Sequence, residues 1–250
     1  MINSTEVHDF AQRFGVPAEQ IRRDHLISHA LVALESNQSG RLVFFGGTAL
    51  CRTWLPDLRY SEDIDLLVET LDQSEGLRRS ISLGLRNDFP NATWTKVGLR
   101  HDVETWNLTF EDLTVKVQFA LWRTGWEEAI PQTTAPIELR YSDLPDTATF
   151  IVPTASGFAA MKLIAWLDRS APRDIYDLAA LAEADMIDNA SLKAAKKIIG
   201  YEPKATMITN VPMGAVRSDW ESELVHQISN PKSLDGCIDL VRRSLEMLDK

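Results

Sequence analysis

The sequence predicts an α+β fold: a strand-rich N-terminal half, residues 1–152, followed by a helical C-terminal half, residues 153–250. Short apolar runs with strand-like alternation concentrate before Pro153. Beyond Pro153 the apolar residues recur at helical spacing instead. Gly-Gly and Glu-Asp pairs separate the early runs as turns do. A cleft between the halves, completed by the helical one, is where a substrate is expected.

In order along the chain, Ser4 to Phe14 reads as an amphipathic helix stopped by Gly15. Pro17 suits the first position of the next helix, in which Ile21, Leu26, Ala30, Leu31 and Leu34 keep helical spacing up to Gln38-Ser39-Gly40. Asp24 in that helix is expected as a solvent-facing charge. Leu42 to Phe45 is a strand, and Thr48 to Arg52 after Gly46-Gly47 is a short helix halted before Pro56. Asp63 to Val68 is the next strand, and Asp72 to Arg86 a helix with capping-box spacing between Asp72 and Glu75. Thr93–Val97, Trp106–Phe110 and Leu113–Phe119 alternate as strands, with Glu111-Asp112 turning the last two into a hairpin. Further strands are expected near Ile137–Tyr141 and at Phe150–Val152. Thr154 caps a helix carrying Lys162, and Pro172 starts another. Helices at Asn189–Ile199, Arg217–Ile228 and Lys232–Leu248 complete the prediction.

Leu42 to Glu69 concentrates the chemistry. Strand alternation throws Asp63 and Asp65 to the same side while Ile64 and Leu66 face a core. Two parallel carboxylates repel unless a cation lies between them, and hard Mg²⁺ (or Mn²⁺) takes carboxylate and phosphate oxygens together. Gly46-Gly47, opening a helix, offers bare N–H groups to an anion. Together these residues describe a metal-and-phosphate site.

The same residues carry a family resemblance. GGTAL followed by R-Y-S-E-D-I-D-L resembles the first motif of the DNA polymerase beta-like nucleotidyltransferase superfamily. It is most similar to the AbiEii/AbiGii toxins, including the MenT-type, whose pattern is GGT…R-x-S-x-D-[IL]-D. Arg23-Asp24-His25 stands where these toxins have a Lys-Asp-aromatic sequence. M-K-L-I-A-W-L-D-R-S-A-P-R-D-I-Y-D-L, from Met161, resembles their later motifs. The likeness runs from about residue 20 to the end. It implies a nucleotidyltransferase-type mixed β-sheet flanked by helices, and transfer of a nucleoside monophosphate from NTP to an acceptor hydroxyl. It makes Asp63 and Asp65 the metal ligands, and Gly46, Gly47, Thr48, Arg59 and Ser61 the nucleotide-binding set. Lys162 supplies charge to the triphosphate and Asp174 positions Lys162 or the nucleotide, with Arg173 and Asp177 as further nucleotide-binding residues. The partners it implies are an NTP, the 3′ end of tRNA as acceptor, and a cognate antitoxin.

Spacing on its own lets Arg173 pair with Asp177 on one helix, and lets Lys162 snorkel from an amphipathic one. Many superfamily members also carry a third carboxylate on a later strand. Here Lys116 and Gln118 share the expected face, so the acid comes from elsewhere, Glu104 or Asp112, or two carboxylates suffice.

Composition narrows the field. Apolar residues at 44% and charged ones at 25% are ordinary for a folded chain of 250 residues, so disorder is excluded. Two cysteines without metal-ligand spacing, an acidic N-terminus and no membrane-length apolar stretch predict a cytoplasmic protein with free thiols and no membrane partner. A net charge of −10 argues against a nucleic-acid acceptor unless basic residues cluster locally. NMP transfer to a protein or a cationic small molecule therefore remains open, as does a catalytically silent binding module of the same fold.

Overall fold

In the computed structural model, which describes residues 2–36, 41–56, 58–122 and 125–249, α1 (Ser4–Phe14) is capped by Asn3 and closed by left-handed Gly15. Pro17 sits one residue ahead of α2 (Ala18–Glu35). The expected stop at Gln38-Ser39-Gly40 lies outside the described residues. Then come β1 (Leu42–Phe45), α3 (Gly46–Leu50), β2 (Asp63–Val68) and α4 (Gln73–Leu85). β3 (Thr93–Arg100), β4 (Val103–Phe110) and β5 (Leu113–Leu121) form a meander, with Glu111 at φ 51° in its second turn. α5 (Trp126–Ala129), β6 (Gln132–Glu138) and β7 (Thr147–Pro153) follow.

The chain divides into two compact units: residues 1–122 with 134–152, and residues 123–133 with 153–250. Among the described residues seven strands make one mixed sheet in the order β3-β4-β5-β2-β1-β7-β6. β2 runs antiparallel to β1 and parallel to β5, and β1 runs parallel to β7. The fold class is as the sequence predicts.

In the first unit α2 and α4 pack together. Ile64, Leu66, Val117 and Phe119 are all fully buried. Arg78 of α4 stacks 3.6 Å over the Trp106 ring of β4. In the second unit α6 (Ala155–Arg169) is capped by Thr154, whose Oγ1 accepts from Gly157 N at 3.1 Å. α7 (Pro172–Glu183), with proline in its first turn, packs on α6 and on α10 (Leu234–Leu248). Between them lie α8 (Asn189–Ile199) and α9 (Met213–Leu224). Cys51 and Cys237 are buried thiols rather than a disulfide. Among the described residues no helix is long and apolar enough to cross a membrane.

Several expectations need correction. Asp72 does not cap α4; Gln73 Oε1 instead accepts from the Glu69 and Thr70 amides at 2.8 and 3.2 Å. The longer glutamine side chain reaches back across the turn, and Asp72 is already helical in conformation. The strand expected near Ile137–Tyr141 lies earlier, at β6, because Arg140 takes φ 75° and breaks extended pairing. α9 begins four residues before Arg217, directly after Pro212.

Asp24 is the largest departure. It is not a surface charge but 1% exposed. Its Oδ1 meets Arg52 Nη2 at 2.8 Å, and its Oδ2 accepts from Tyr141 Oη at 2.8 Å. Arg52 also donates to the Ser28 hydroxyl at 2.9 Å and the Glu138 carbonyl at 2.7 Å. The second guanidinium, Arg140, lies 3.7 Å from Asp24 and donates to the Cys51 and Pro56 carbonyls at 2.6 and 2.9 Å. This network ties α2 to the segment that follows the glycine corner and to the end of β6. Breaking one partner of a buried pair strands the other charge. Asp24→Ala and Arg52→Ala are each expected to cost about 3–5 kcal/mol in urea unfolding, with the double variant clearly less than additive; losses under about 1 kcal/mol would contradict the network.

Candidate active site

β1 delivers the chain to Gly46 at φ 79°, a conformation side chains resist. A β-carbon there would lie 2.1 Å from Asp65 Oδ2 and 2.8 Å from Asp65 Cγ. Glycine is thus what allows the backbone of the turn and the carboxylate to approach. At Gly47 a β-carbon would stand 2.7 Å from Arg59 Nη2 and 3.0 Å from Ser61 Oγ. Arg59 is buried, and its Nη1 donates to the Tyr60 carbonyl at 3.0 Å. The Thr48 hydroxyl is buried and donates to the Asp63 carbonyl, stitching α3 to the start of β2. Six of the sequence-selected residues, Gly46, Gly47, Thr48, Arg59, Ser61 and Asp65, therefore meet at one corner.

β2 presents its acids as alternation requires. Antiparallel register sets Asp65 against Phe45, the last residue before the glycines. On the other side, Asp63 faces Lys116 and Asp65 faces Gln118, which in turn face Asn107 and Thr105 of β4. None of these four in-register residues is acidic. Lys116 Nζ lies 2.8 Å from Asp63 Oδ2, so the protein's own cation answers the charge of that carboxylate. Gln118 Nε2 donates to Thr105 Oγ1 at 3.3 Å.

Neither expected substitute supplies the third acid. Glu104 is in register with Phe119 and Leu66, one pleat away and so on the opposite face. It meets Ser74 at 2.5 Å and Lys96 at 2.6 Å. Burial alone would raise this carboxyl, but Lys96 and Ser74 hold it below its ordinary range. Asp112, in the β4–β5 turn, pairs with Arg22 at 3.1 Å.

The second unit carries its own constellation. Lys162, on α6, is buried rather than snorkelling, because two acids of α7 reach it: Asp174 Oδ1 at 3.0 Å and Asp177 Oδ2 at 2.7 Å. Positions three apart put both carboxylates on one side of α7. Arg169, at the end of α6, donates to both Asp174 oxygens at 2.7 and 3.0 Å. Burial pushes the Asp174 carboxyl up, yet Lys162 and Arg169 outweigh it and bring it to about 2. Arg173 does not pair with Asp177; its Nε reaches Glu223 of α9 at 3.3 Å, while Asp177 faces inward on Lys162.

The family model described as nucleotidyl transferase AbiEii toxin, type IV toxin–antitoxin system, matches residues 29–232. The chain belongs to the AbiEii nucleotidyltransferase toxin family. It is accordingly a nucleotidyltransferase, with a nucleoside triphosphate as substrate and an antitoxin as partner. No curated protein sequence matches it significantly. Among solved structures, MenT4, a nucleotidyltransferase toxin from Mycobacterium tuberculosis, superposes with TM-score 0.63 at 17% identity, covering 100% of this chain and 90% of that one. A putative nucleotidyltransferase from H. pylori gives TM-score 0.57 at 15% identity, covering 93% and 96%. At such identities the likeness concerns the fold.

In this toxin two side chains had no assigned role from sequence. Lys116 was visible as a face-mate of Gln118, but only register shows that it meets Asp63. Arg169 stood within the later motif, and its hold on Asp174 depends on how α6 and α7 pack. The glycine corner yields a direct test. Gly46→Ala adds left-handed strain of about 1–2 kcal/mol and drives into Asp65. Gly47→Ala meets mainly the flexible end of Arg59. Gly46→Ala should lower stability more, and should lose roughly a hundredfold in nucleotide transfer through misplacement of Asp65; equal effects of the two would contradict the fit.

Proposed function

We propose that this toxin transfers a nucleoside monophosphate from NTP to the 3′ end of tRNA in a Mg²⁺-dependent reaction in the cytoplasm. The observation that carries the reading is the corner itself: two carboxylates on one face of β2, one of them against a glycine backbone. The donor set fits a hard divalent cation, being partly exposed, all-oxygen and doubly negative. Asp63 and Asp65 would hold it, and when bound it supplies charge neutralisation at the phosphate undergoing displacement.

The acceptor hydroxyl attacks the α-phosphorus, the bond to the β-phosphate oxygen breaks, and pyrophosphate leaves. The Gly46, Gly47 and Thr48 amides and the Ser61 hydroxyl bind the triphosphate, and Arg59 places a guanidinium beside Gly47. α3 has only one turn, so these N–H donors act as individual hydrogen bonds rather than through a helix dipole. In the second unit Lys162 offers a further positive charge, held by Asp174 and Asp177, with Arg169 fixing Asp174 in turn. Gln118 cannot accept a proton as a base does, so the hydroxyl proton passes to a phosphate oxygen of the nucleotide. Positioning and charge carry the acceleration. Lys116, paired with Asp63, would compete with a divalent cation for that carboxylate.

The acceptor rests on the family resemblance, and a second reading has an observation behind it. The net charge of −10 suits a cationic acceptor, either a protein or a small molecule. Labelled NTPs, offered with total tRNA or with cell protein and Mg²⁺, separate the two. Label in tRNA supports the first reading, and label in protein or small molecules alone the second. Asp63→Asn and Asp65→Asn should each lower transfer by roughly 10²–10³-fold while melting normally. Lys116→Met should reduce the Mg²⁺ needed for half-maximal rate. Wild-type transfer by either aspartate variant would refute the assignment.

A further inference from the structure

α2 carries a second polar stripe besides Asp24 and Ser28. His25 and His29, one turn apart, are 2% and 8% exposed. Their Nε2 atoms lie 3.1 Å from each other. Asp143, in the connection between β6 and β7, places an Oδ2 atom 3.0 Å from His25 Nε2 and 3.4 Å from His29 Nε2. Three ligand-type atoms from two separated segments thus converge on one point, all within 4.8 Å of one another.

The edges of that triangle are informative. A tetrahedral ion with bonds of about 2.0–2.1 Å separates its ligands by roughly 3.3 Å. The observed 3.0, 3.1 and 3.4 Å edges bracket this value. Protons alone fill the point poorly. Asp88 Oδ2 lies 3.8 Å from His29 Nδ1, which favours a proton on that nitrogen and a lone pair on Nε2. One proton on His25 Nε2 would then serve His29 Nε2 and both Asp143 oxygens, each 3.0–3.1 Å away. The rings are walled by Phe89 and Tyr141, and the Tyr141 hydroxyl is itself anchored on Asp24.

We propose that His25, His29 and Asp143 form a site for a borderline divalent transition metal of the Zn²⁺ class, distinct in chemistry from the Asp63–Asp65 pair. Two imidazoles and one carboxylate suit Zn²⁺, Co²⁺ or Ni²⁺, whereas Mg²⁺ and Ca²⁺ prefer oxygen alone. Asp143 is partly exposed, which leaves a path for the ion and a fourth position for water. Asp88 lies 3.8 Å from His29 Nδ1, on the side of the ring away from the three converging atoms. The metal would pin α2 to the β6–β7 connection, and the proposal does not depend on which acceptor the toxin uses.

The experiment titrates the EDTA-stripped full chain with Zn²⁺ calorimetrically, with millimolar Mg²⁺ present. One Zn²⁺ per chain is expected, retained by the Asp63→Asn/Asp65→Asn double variant. His29→Gln and Asp143→Asn should each weaken it by roughly 100-fold. At a hundredfold excess over Kd, Zn²⁺ should raise the wild-type melting temperature by roughly 5–10 °C. Since a histidine variant could misfold, wild-type protein loaded with Co²⁺ gives an independent reading. The intense visible absorption of four-coordinate Co²⁺, displaced by Zn²⁺, is expected. Absence of saturable Zn²⁺ binding in the wild type, weak six-coordinate Co²⁺ absorption, or binding lost in the β2 double variant but intact in a folded Asp143→Asn would overturn the proposal.

Discussion

Two carboxylates on one strand repel each other, and the chain has arranged for that repulsion to be answered at a fixed place. Asp65 lies against Gly46, where any side chain would exclude it, and Asp63 is met by Lys116 from the neighbouring strand. The mixed sheet exists in this order to make that possible: β2 sits between β1, which ends in the glycines, and β5, which brings Lys116 and Gln118. The Thr48 hydroxyl and the Asp24–Arg52–Arg140 network then hold the corner from behind. A site that works by charge and position requires such support, because its groups are only as useful as their placement is exact to within an ångström or so.

The two constellations follow one electrostatic scheme, in which acids on one face are answered by the protein's own cations. On β2 two acids share one face and Lys116 answers one of them; in the second unit Lys162 meets both Asp174 and Asp177, and Arg169 adds its charge to Asp174. Asp174 remains ionised although it is fully buried, because two cations outweigh its loss of water. Lys162 is in turn held in one geometry, which a freely snorkelling lysine would not be.

Much of this was legible in the sequence, because local rules were enough to reveal it. Alternation placed Asp63 and Asp65 together, the glycine pair marked the turn, and Thr154 and Pro172 marked helix starts. The readings that failed depended on partners distant in sequence. Nothing local to Asp24 announces Arg52 or Tyr141, and nothing at Arg173 announces Glu223. The Asp72 cap is a local exception: its side chain makes no cap hydrogen bond, and the adjacent Gln73 bonds the Glu69 and Thr70 amides of the turn instead. The convergence of His25 and His29 with Asp143 was equally hidden: the helical pair is local, but its third member stands more than a hundred residues away.

The central claim is that β2 and the glycine corner receive the metal-bound nucleotide. The most direct measurement is a crystal of this toxin with Mn²⁺ and a non-hydrolysable NTP, read by anomalous scattering. The account predicts a Mn²⁺ peak bonded to Asp63 and Asp65, with the triphosphate over Gly46 and Gly47 and Lys116 displaced from Asp63. A triphosphate bound elsewhere, with Lys116 still on Asp63 and no metal at either carboxylate, would contradict it.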